Sequence, residues 1–348
     1  MNIAIFLPNW IGDVVMATPA IRALRQHFAD ARCVAVCRPY VARVLEGSTW
    51  FDEQLFLDRV GPWRNRWPAV AWRLRRAKID LAVLLPNSFR SSWTAWLGAC
   101  QRRIGFHRDG RGWMLTDRLP SIRDEFGRFK PSPIIDDYNR LAEAAGCSSP
   151  GHRMELFTTL ADEEAAEAVY RNLRIDRQDE VICLNPGAAF GAAKFWPVES
   201  FARLAQDLVE SRGAKVLILC GPGEREQARK IAVLADRPDV YSLADEALSL
   251  GLTKVLVRRC TLLVTTDSGP RHFAAAFDRP VVSLFGPTFV SWTKTFFDKE
   301  ICLQMKVPCG PCQLRVCPTD HACMKSLTPE TVLTAAQQLL RPSFQKAS

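Results

Sequence analysis

The chain has 348 residues, 48% of them apolar, and carries 46 Lys and Arg against 37 Asp and Glu, a formal net charge of +9. That length suits two domains of ordinary size, and the apolar fraction supports real cores. No apolar run approaches the roughly 18 residues of a transmembrane helix, and the mean hydropathy of −0.06 is that of a soluble protein.

The first residues, Met1-Asn2-Ile3-Ala4-Ile5-Phe6-Leu7-Pro8, have no basic start and no small-residue cleavage site, so they read as a strand over residues 3–7 and not as a signal peptide. A loop over 8–13 follows, then a helix over 14–28 whose apolar side is Ile11, Val14, Val15, Ala17, Ile21 and Leu24. A strand over 33–37 leads through Arg38-Pro39-Tyr40 into a short helix. Residues 59–130 hold 16 Lys and Arg against 5 Asp and Glu, an excess of 11 that exceeds that of the whole chain. There Trp63, Trp67 and Trp72 alternate with Arg64, Arg66, Arg73, Arg75 and Arg76. This mixture suits an anionic membrane surface, although a solvated basic helix face has the same composition. No nucleic-acid-binding signature accompanies the charge, so no nucleic-acid partner is expected.

A strand over 79–85 ends in Pro86-Asn87-Ser88-Phe89-Arg90, followed by a helix over 91–100 and a strand over 103–106. From 110 to 133 the periodicity fades into a long basic loop, of the kind that is usually functional. A helix over 136–145, a linker over 146–151 and a helix over 161–173, expected near a hinge, close this half. The second half repeats the alternation: a strand over 181–184 ending in Asn185-Pro186-Gly187-Ala188, a helix over 198–211, a strand over 215–220 ending in Gly221-Pro222-Gly223-Glu224, and a helix over 225–235. Then Leu262-Leu263-Val264 runs into Thr265-Thr266-Asp267, and Ser268-Gly269-Pro270 opens a helix with a small polar cap and a proline in its first turn. Alternating β and α elements of this kind build α/β domains with doubly wound parallel sheets. Two such Rossmann-like domains facing a cleft are expected, with ligands outside the carboxyl ends of the strands. The boundaries read as 1–160, 176–330 and a C-terminal helix and tail over 331–348.

Four loops carry candidate chemistry. Asp13 stands in the first turn of a helix, where it suits a general base or simply a helix-end acid. Lys194, in Lys194-Phe195-Trp196-Pro197, is a point charge suited to a diphosphate. Glu224 and Glu226 could take ribose hydroxyls. Asp267, Ser268 and Gly269, with His272 a turn further on, combine a helix N-terminus for an anion with a carboxylate for hydroxyls. That pairing suggests a nucleotide sugar. No Asp-x-Asp occurs in the chain, so that common metal–diphosphate motif is missing.

The order of these loops resembles the family 9 glycosyltransferases, the ADP-heptose:lipopolysaccharide heptosyltransferases. The likeness rests on P-N-W-I-G-D-V-V-M-A-T-P-A-I-R-A-L-R (8–25), L-L-P-N-S-F-R-S-S (84–92), R-R-I-G-F (102–106), N-P-G-A (185–188), K-F-W-P (194–197), G-P-G-E-R-E (221–226) and D-S-G-P-R-H-F-A-A-A (267–276). The first loop and the P-N-S-F-R segment look most like the heptosyltransferase II group. The resemblance implies a GT-B fold and a cytoplasmic enzyme, peripheral at the inner face of the cytoplasmic membrane. It implies transfer of heptose from ADP-heptose to the lipopolysaccharide inner core, with inversion and without a metal. It further implies Asp13 as base, with Asn9, Trp10, Asn87, Ser88 and Arg90 on the acceptor. Lys194, Ser268 and Gly269 would then hold the diphosphate, Asp267 the heptose hydroxyls, and Glu224 or Glu226 the ribose, with His272 also on the donor. A relative using another donor sugar is the nearest alternative.

Outside that scheme lie Cys309, Cys312, Cys317 and Cys323, whose spacing suits a structural zinc or an Fe–S cluster. Twelve cysteines without a secretion signal argue equally for reduced thiols. If the cluster were the working part, the chain would be a non-catalytic metal- or redox-binding module. No cofactor is expected for catalysis.

Overall fold

Apolar runs bounded by turn residues become the inner strands of two sheets. The computed structural model describes residues 1–58, 60–122, 125 and 132–341; Arg59, most of 123–131 and the tail from 342 onward, all parts of the expectations above, lie outside the described residues. One unit consists of Met1–Phe157 with Ser291–Thr295, and the other begins at Thr158 and comprises the rest.

The first unit holds strands β1 (Asn2–Phe6), β2 (Arg32–Cys37), β3 (Glu53–Phe56), β4 (Leu81–Leu84), β5 (Arg102–Phe106) and β6 (Asp117–Leu119). Its helices are α1 (Ile11–Met16), α2 (Thr18–His27), α3 (Pro39–Ala42), α4 (Trp67–Arg76), α5 (Phe89–Leu97) and α6 (Ile134–Ala144). The second unit holds β7 (Val181–Asn185), β8 (Lys215–Ile218), β9 (Val240–Ser242), β10 (Leu262–Thr266), β11 (Val281–Phe285) and β12 (Glu300–Gln304). Its helices are α7 (Leu160–Leu173), α8 (Val198–Arg212), α9 (Arg225–Ala235), α10 (Leu250–Arg259), α11 (Gly269–Ala276), α12 (Ala322–Lys325) and α13 (Pro329–Leu339).

Both sheets are parallel and have one topology, β3-β2-β1-β4-β5-β6 and β12-β11-β10-β7-β8-β9. The winding reverses between β1 and β4 in one and between β7 and β10 in the other. Strands at the centre of each sheet are covered on both faces: β4, β7, β10 and β11 are buried at every residue. At such a reversal the loops leaving the carboxyl ends diverge, and a crevice opens for a ligand.

Two local details differ from the sequence reading, and a third is placed more finely. The helix expected over 14–28 is two helices, because Pro19 cannot donate to a preceding turn and starts α2 afresh; the Thr18 hydroxyl donates to Val15 O at 2.7 Å across the break. The long basic loop contains a 3-10 turn at Gly112–Met114 and the edge strand β6, which pairs with β5. The helix expected near a hinge, α7, belongs to the second unit. There Arg258 and Arg259 of α10 each pair with Glu163, at 2.7 and 2.9 Å, and Arg259 also reaches Glu167 at 2.8 Å.

Candidate active site

In the second unit, side chains lace together the two loops at the reversal point. Asn185, ending β7, donates from Nδ2 to Thr265 Oγ1 and to Ser268 Oγ, each at 3.0 Å. Thr266 Oγ1 donates to Gly187 O at 2.7 Å. Ser268 is the N-cap residue of α11, but its hydroxyl is held by these neighbours and does not cap the helix as its position suggested. The helix α11 starts at this cluster, which puts the positive end of its dipole there.

Lys194 is not a surface lysine. Trp196 is buried and donates from its indole to Leu327 O at 2.8 Å, fixing the loop on which Lys194 sits. Its ammonium donates to Asp267 Oδ2 at 2.5 Å and to Asp267 O at 2.9 Å, and lies over the Phe190 ring. Thr288 Oγ1 donates to the same carboxylate at 2.8 Å, and Arg271 approaches its other oxygen at 3.6 Å. Burial alone would raise the Asp267 pKa, but Lys194 and Arg271 outweigh it and hold the carboxyl below its ordinary value. Arg271 is in turn fixed by Glu300, at 2.5 Å, and the Ser283 hydroxyl donates to Glu300 at 2.6 Å. The result is a buried chain of alternating charge beneath the loops, from Lys194 through Asp267 and Arg271 to Glu300. Only Lys194 and Asp267 of that chain were legible as site residues. Arg271 falls one helical turn after Asp267, which was the available signal; Glu300 arrives through the pairing of β11 with β12.

Of the two acids expected near a ribose, the structure brings one to the cluster. Glu224 accepts from Gly221 N at 2.8 Å, and its carboxylate would lie 2.2 Å from any Cβ on Gly187, so glycine there permits the approach. The Glu226 side chain is 91% exposed and lies 3.7 Å from Arg229. His272 is buried, with no hydrogen-bond partner at Nδ1 among the described residues. Burial, and then the charge of Arg271, pull its pKa down to about 3, so it is neutral at physiological pH.

This yields a pH test. Unfolded, the same histidine takes a proton near pH 6.5, so below that value acid favours the unfolded chain. Its contribution to stability is complete above pH 6.5 and is lost at about 1.4 kcal/mol per pH unit as pH falls toward the folded value. Urea midpoints between pH 7 and 5 should fall with acid, and His272→Gln should flatten the slope. An identical slope in both proteins would mean that the folded imidazole accepts protons freely.

In the first unit, Asp13 stands in the first turn of α1, after β1. Its charge, after burial, helps to push the Tyr138 hydroxyl well above its ordinary pKa, so Tyr138 stays neutral beside it. Asn9 accepts a hydrogen bond at its carbonyl from the Tyr40 hydroxyl, and Trp10 is 46% exposed. After β4, the neighbouring strand, Ser88 caps α5 by accepting from Ser91 N at 3.1 Å, and Arg90 lies in the first turn. Arg111, fully buried and unremarked in the sequence, donates to Pro86 O, to Ser88 O and, at 2.8 Å, to Asn87 Oδ1. Asp13 and Asn87 thus leave the two strands that flank the reversal.

All twelve cysteines are free thiols. Burial, and then the charges of Cys317, Cys309 and Cys312, raise the Cys323 pKa, which draws the four into one locality. Among the described residues no group of three or more His, Cys, Asp or Glu has an arrangement that could hold a metal. What this segment does visibly is brace the Lys194 loop: Ala193 N donates to Arg315 O at 3.0 Å, and His321 Nε2 bonds Ala193 O at 2.7 Å.

Comparison with known proteins bears on the family and the fold. The chain matches the family described as Glycosyltransferase family 9 (heptosyltransferase) over residues 67–323. It is 27% identical to the lipooligosaccharide heptosyltransferase 2 of Campylobacter jejuni, covering 99% of each chain. The solved structure of Escherichia coli ADP-heptose lps heptosyltransferase II superposes with a TM-score of 0.79, at 24% identity and 98% coverage of both chains. E. coli heptosyltransferase WaaC with ADP-2-deoxy-2-fluoro heptose superposes with a TM-score of 0.72, at 16% identity, covering 97% of this chain and 99% of that one. The architecture is the GT-B fold expected from the sequence.

Proposed function

Since the chain belongs to glycosyltransferase family 9, the heptosyltransferases, we propose that it transfers heptose from ADP-heptose to the inner core of lipopolysaccharide, inverting the anomeric carbon without a metal ion. The observation that carries this reading is the laced loop cluster of Asn185, Lys194, Asp267 and Ser268 at the reversal of the second sheet. A helix N-terminus and an adjacent lysine suit a diphosphate, and a held carboxylate suits sugar hydroxyls. The relatives named above act on lipopolysaccharide or lipooligosaccharide, and WaaC holds an ADP-heptose analogue.

In this reading Asp13 accepts the proton of the acceptor hydroxyl as its oxygen bonds to the anomeric carbon. The bond from that carbon to the diphosphate breaks, and ADP leaves. The amides of Ser268 and Gly269, with Lys194, stabilise the charge that develops on the leaving diphosphate, which a metal would otherwise have to do. Asp267 and His272 take the heptose, Glu224 the ribose, and Asn9, Trp10, Asn87, Ser88 and Arg90 the acceptor. Free thiols and an ADP-sugar donor fit work on the cytoplasmic side of the membrane; among the described residues no helix is long and apolar enough to cross one.

Two measurements test the reading. Mass spectrometry after mixing the protein with ADP-heptose and truncated lipid A–core acceptors should show addition of one heptose; another accepted sugar in preference would overturn the donor. Titration of the full chain with ADP should give the same affinity with and without EDTA, and a weaker one for UDP. Dependence on added Mg²⁺ would count against charge stabilisation by Lys194 and α11.

A further inference from the structure

Five aromatic residues of the first unit form one cluster. On α5, Phe89, Trp93 and Trp96 follow helical spacing and stack in turn, with ring centres 6.1 and 5.3 Å apart. Trp67 from α4 meets Trp93 edge-on at 6.4 Å. Trp113, from the 3-10 turn, meets both Trp93 and Trp96, at 6.1 and 5.5 Å. A soluble core would enclose such a cluster, yet Trp67, Phe89, Trp96 and Trp113 are between 39% and 53% exposed. Further along α4, Trp72 is 58% exposed, with the Arg76 guanidinium over its ring.

The charge of the surrounding stretch is mostly basic. Residues 60–113 contain 11 Lys and Arg and 2 Asp and Glu, an excess of 9. Arg64, Arg66, Arg75 and Arg76 are exposed and are not ion-paired with other described residues. A protein partner would be expected to bring carboxylates to particular arginines; a diffuse basic field around flat amphipathic rings instead matches a phospholipid interface. Indole rings favour the headgroup level, where an apolar body and a polar N–H are both accommodated.

We propose that this face, formed by α4, α5 and the Gly112–Met114 turn, is where the protein lies on an anionic phospholipid bilayer, with the rings at headgroup depth and the arginines on the lipid phosphates. The inference deepens the reading of a lipid-anchored acceptor. Asn87 and Ser88 directly precede Phe89, and Arg111, two residues before Trp113, donates to the same loop. A bilayer engaged by the rings would therefore lie next to the proposed acceptor loop.

The test is co-sedimentation with vesicles of phosphatidylcholine alone and of phosphatidylcholine with phosphatidylglycerol. It needs no sugar donor, so its outcome is separate from that of the transferase assay. The wild type should bind the anionic vesicles and bind the neutral ones far more weakly. The fold-safe variant Arg75→Gln/Arg76→Gln should lose about 30-fold in partition at low salt, with a smaller loss at high salt. Trp96→Ala/Trp113→Ala should lose at least tenfold at either salt, while turnover of an acceptor stripped of its acyl chains stays normal. Equal binding by all three proteins would overturn the proposal. So would self-association that the Trp variant abolishes, preferential capture of nucleic acid, or loss of turnover on the acyl-free acceptor.

Discussion

Replacing Asp13 by Asn is expected to lower kcat by about 10² to 10⁴ while leaving the fold and the affinity for ADP nearly unchanged. A sugar hydroxyl is a poor nucleophile at neutral pH, and the amide cannot take its proton. The helical cost is small: α1 has no side-chain cap, and Asp13 acts on the helix through its charge in the first turn, about 0.3–1 kcal/mol. Loss should appear in single turnover with saturating donor and acceptor. Activity within a few-fold of wild type would leave Asp13 as a helix-end acid, and the base would have to be another group.

The second large effect concerns the Lys194–Asp267 pair, whose two partners should fail differently. Removing one member of a buried pair typically costs about 3–5 kcal/mol, because the other charge is left without compensation. Asp267→Asn removes the carboxylate facing both Lys194 and Arg271, so it should show that full loss in urea unfolding. Lys194→Gln leaves Asp267 with Arg271 and Thr288, so its stability loss should be clearly smaller. Its turnover should nonetheless fall by about 10² to 10³, the usual effect of removing one group that stabilises a developing charge. If Lys194→Gln unfolds as easily as Asp267→Asn yet turns over normally when folded, the lysine is a structural counter-ion and the diphosphate has another partner.

The strands flanking each reversal were legible because apolar runs such as Leu262-Leu263-Val264 end in residues with turn chemistry. The edge strands were not. Glu53–Phe56 and Asp117–Leu119 are short and charged, and they are strands because a neighbour offers them a hydrogen-bonding edge. The site divides similarly. Asp13, Lys194 and Asp267 stand in the connections that follow β1, β7 and β10, where a sequence motif marks them. Arg271 and Glu300 look like solvated charges in a linear chain, and a separation of 29 positions hides a contact that sheet order creates. Arg111 sat in what read as a long basic loop without periodicity. Its function as an anchor follows from burial, which no local pattern encodes for an arginine.

The five residues Ser291–Thr295 belong to the first unit although the chain around them builds the second. A gene divided at Phe157 would therefore not yield two whole parts. The leading fragment would lack a piece of its own body, and the trailing fragment would carry that piece as an insert. Supplied together, such fragments should regain activity only if the insert finds its place. Complementation between them would then report on that one short segment, and swapping trailing halves among relatives would have to carry the matching five residues along with the leading half.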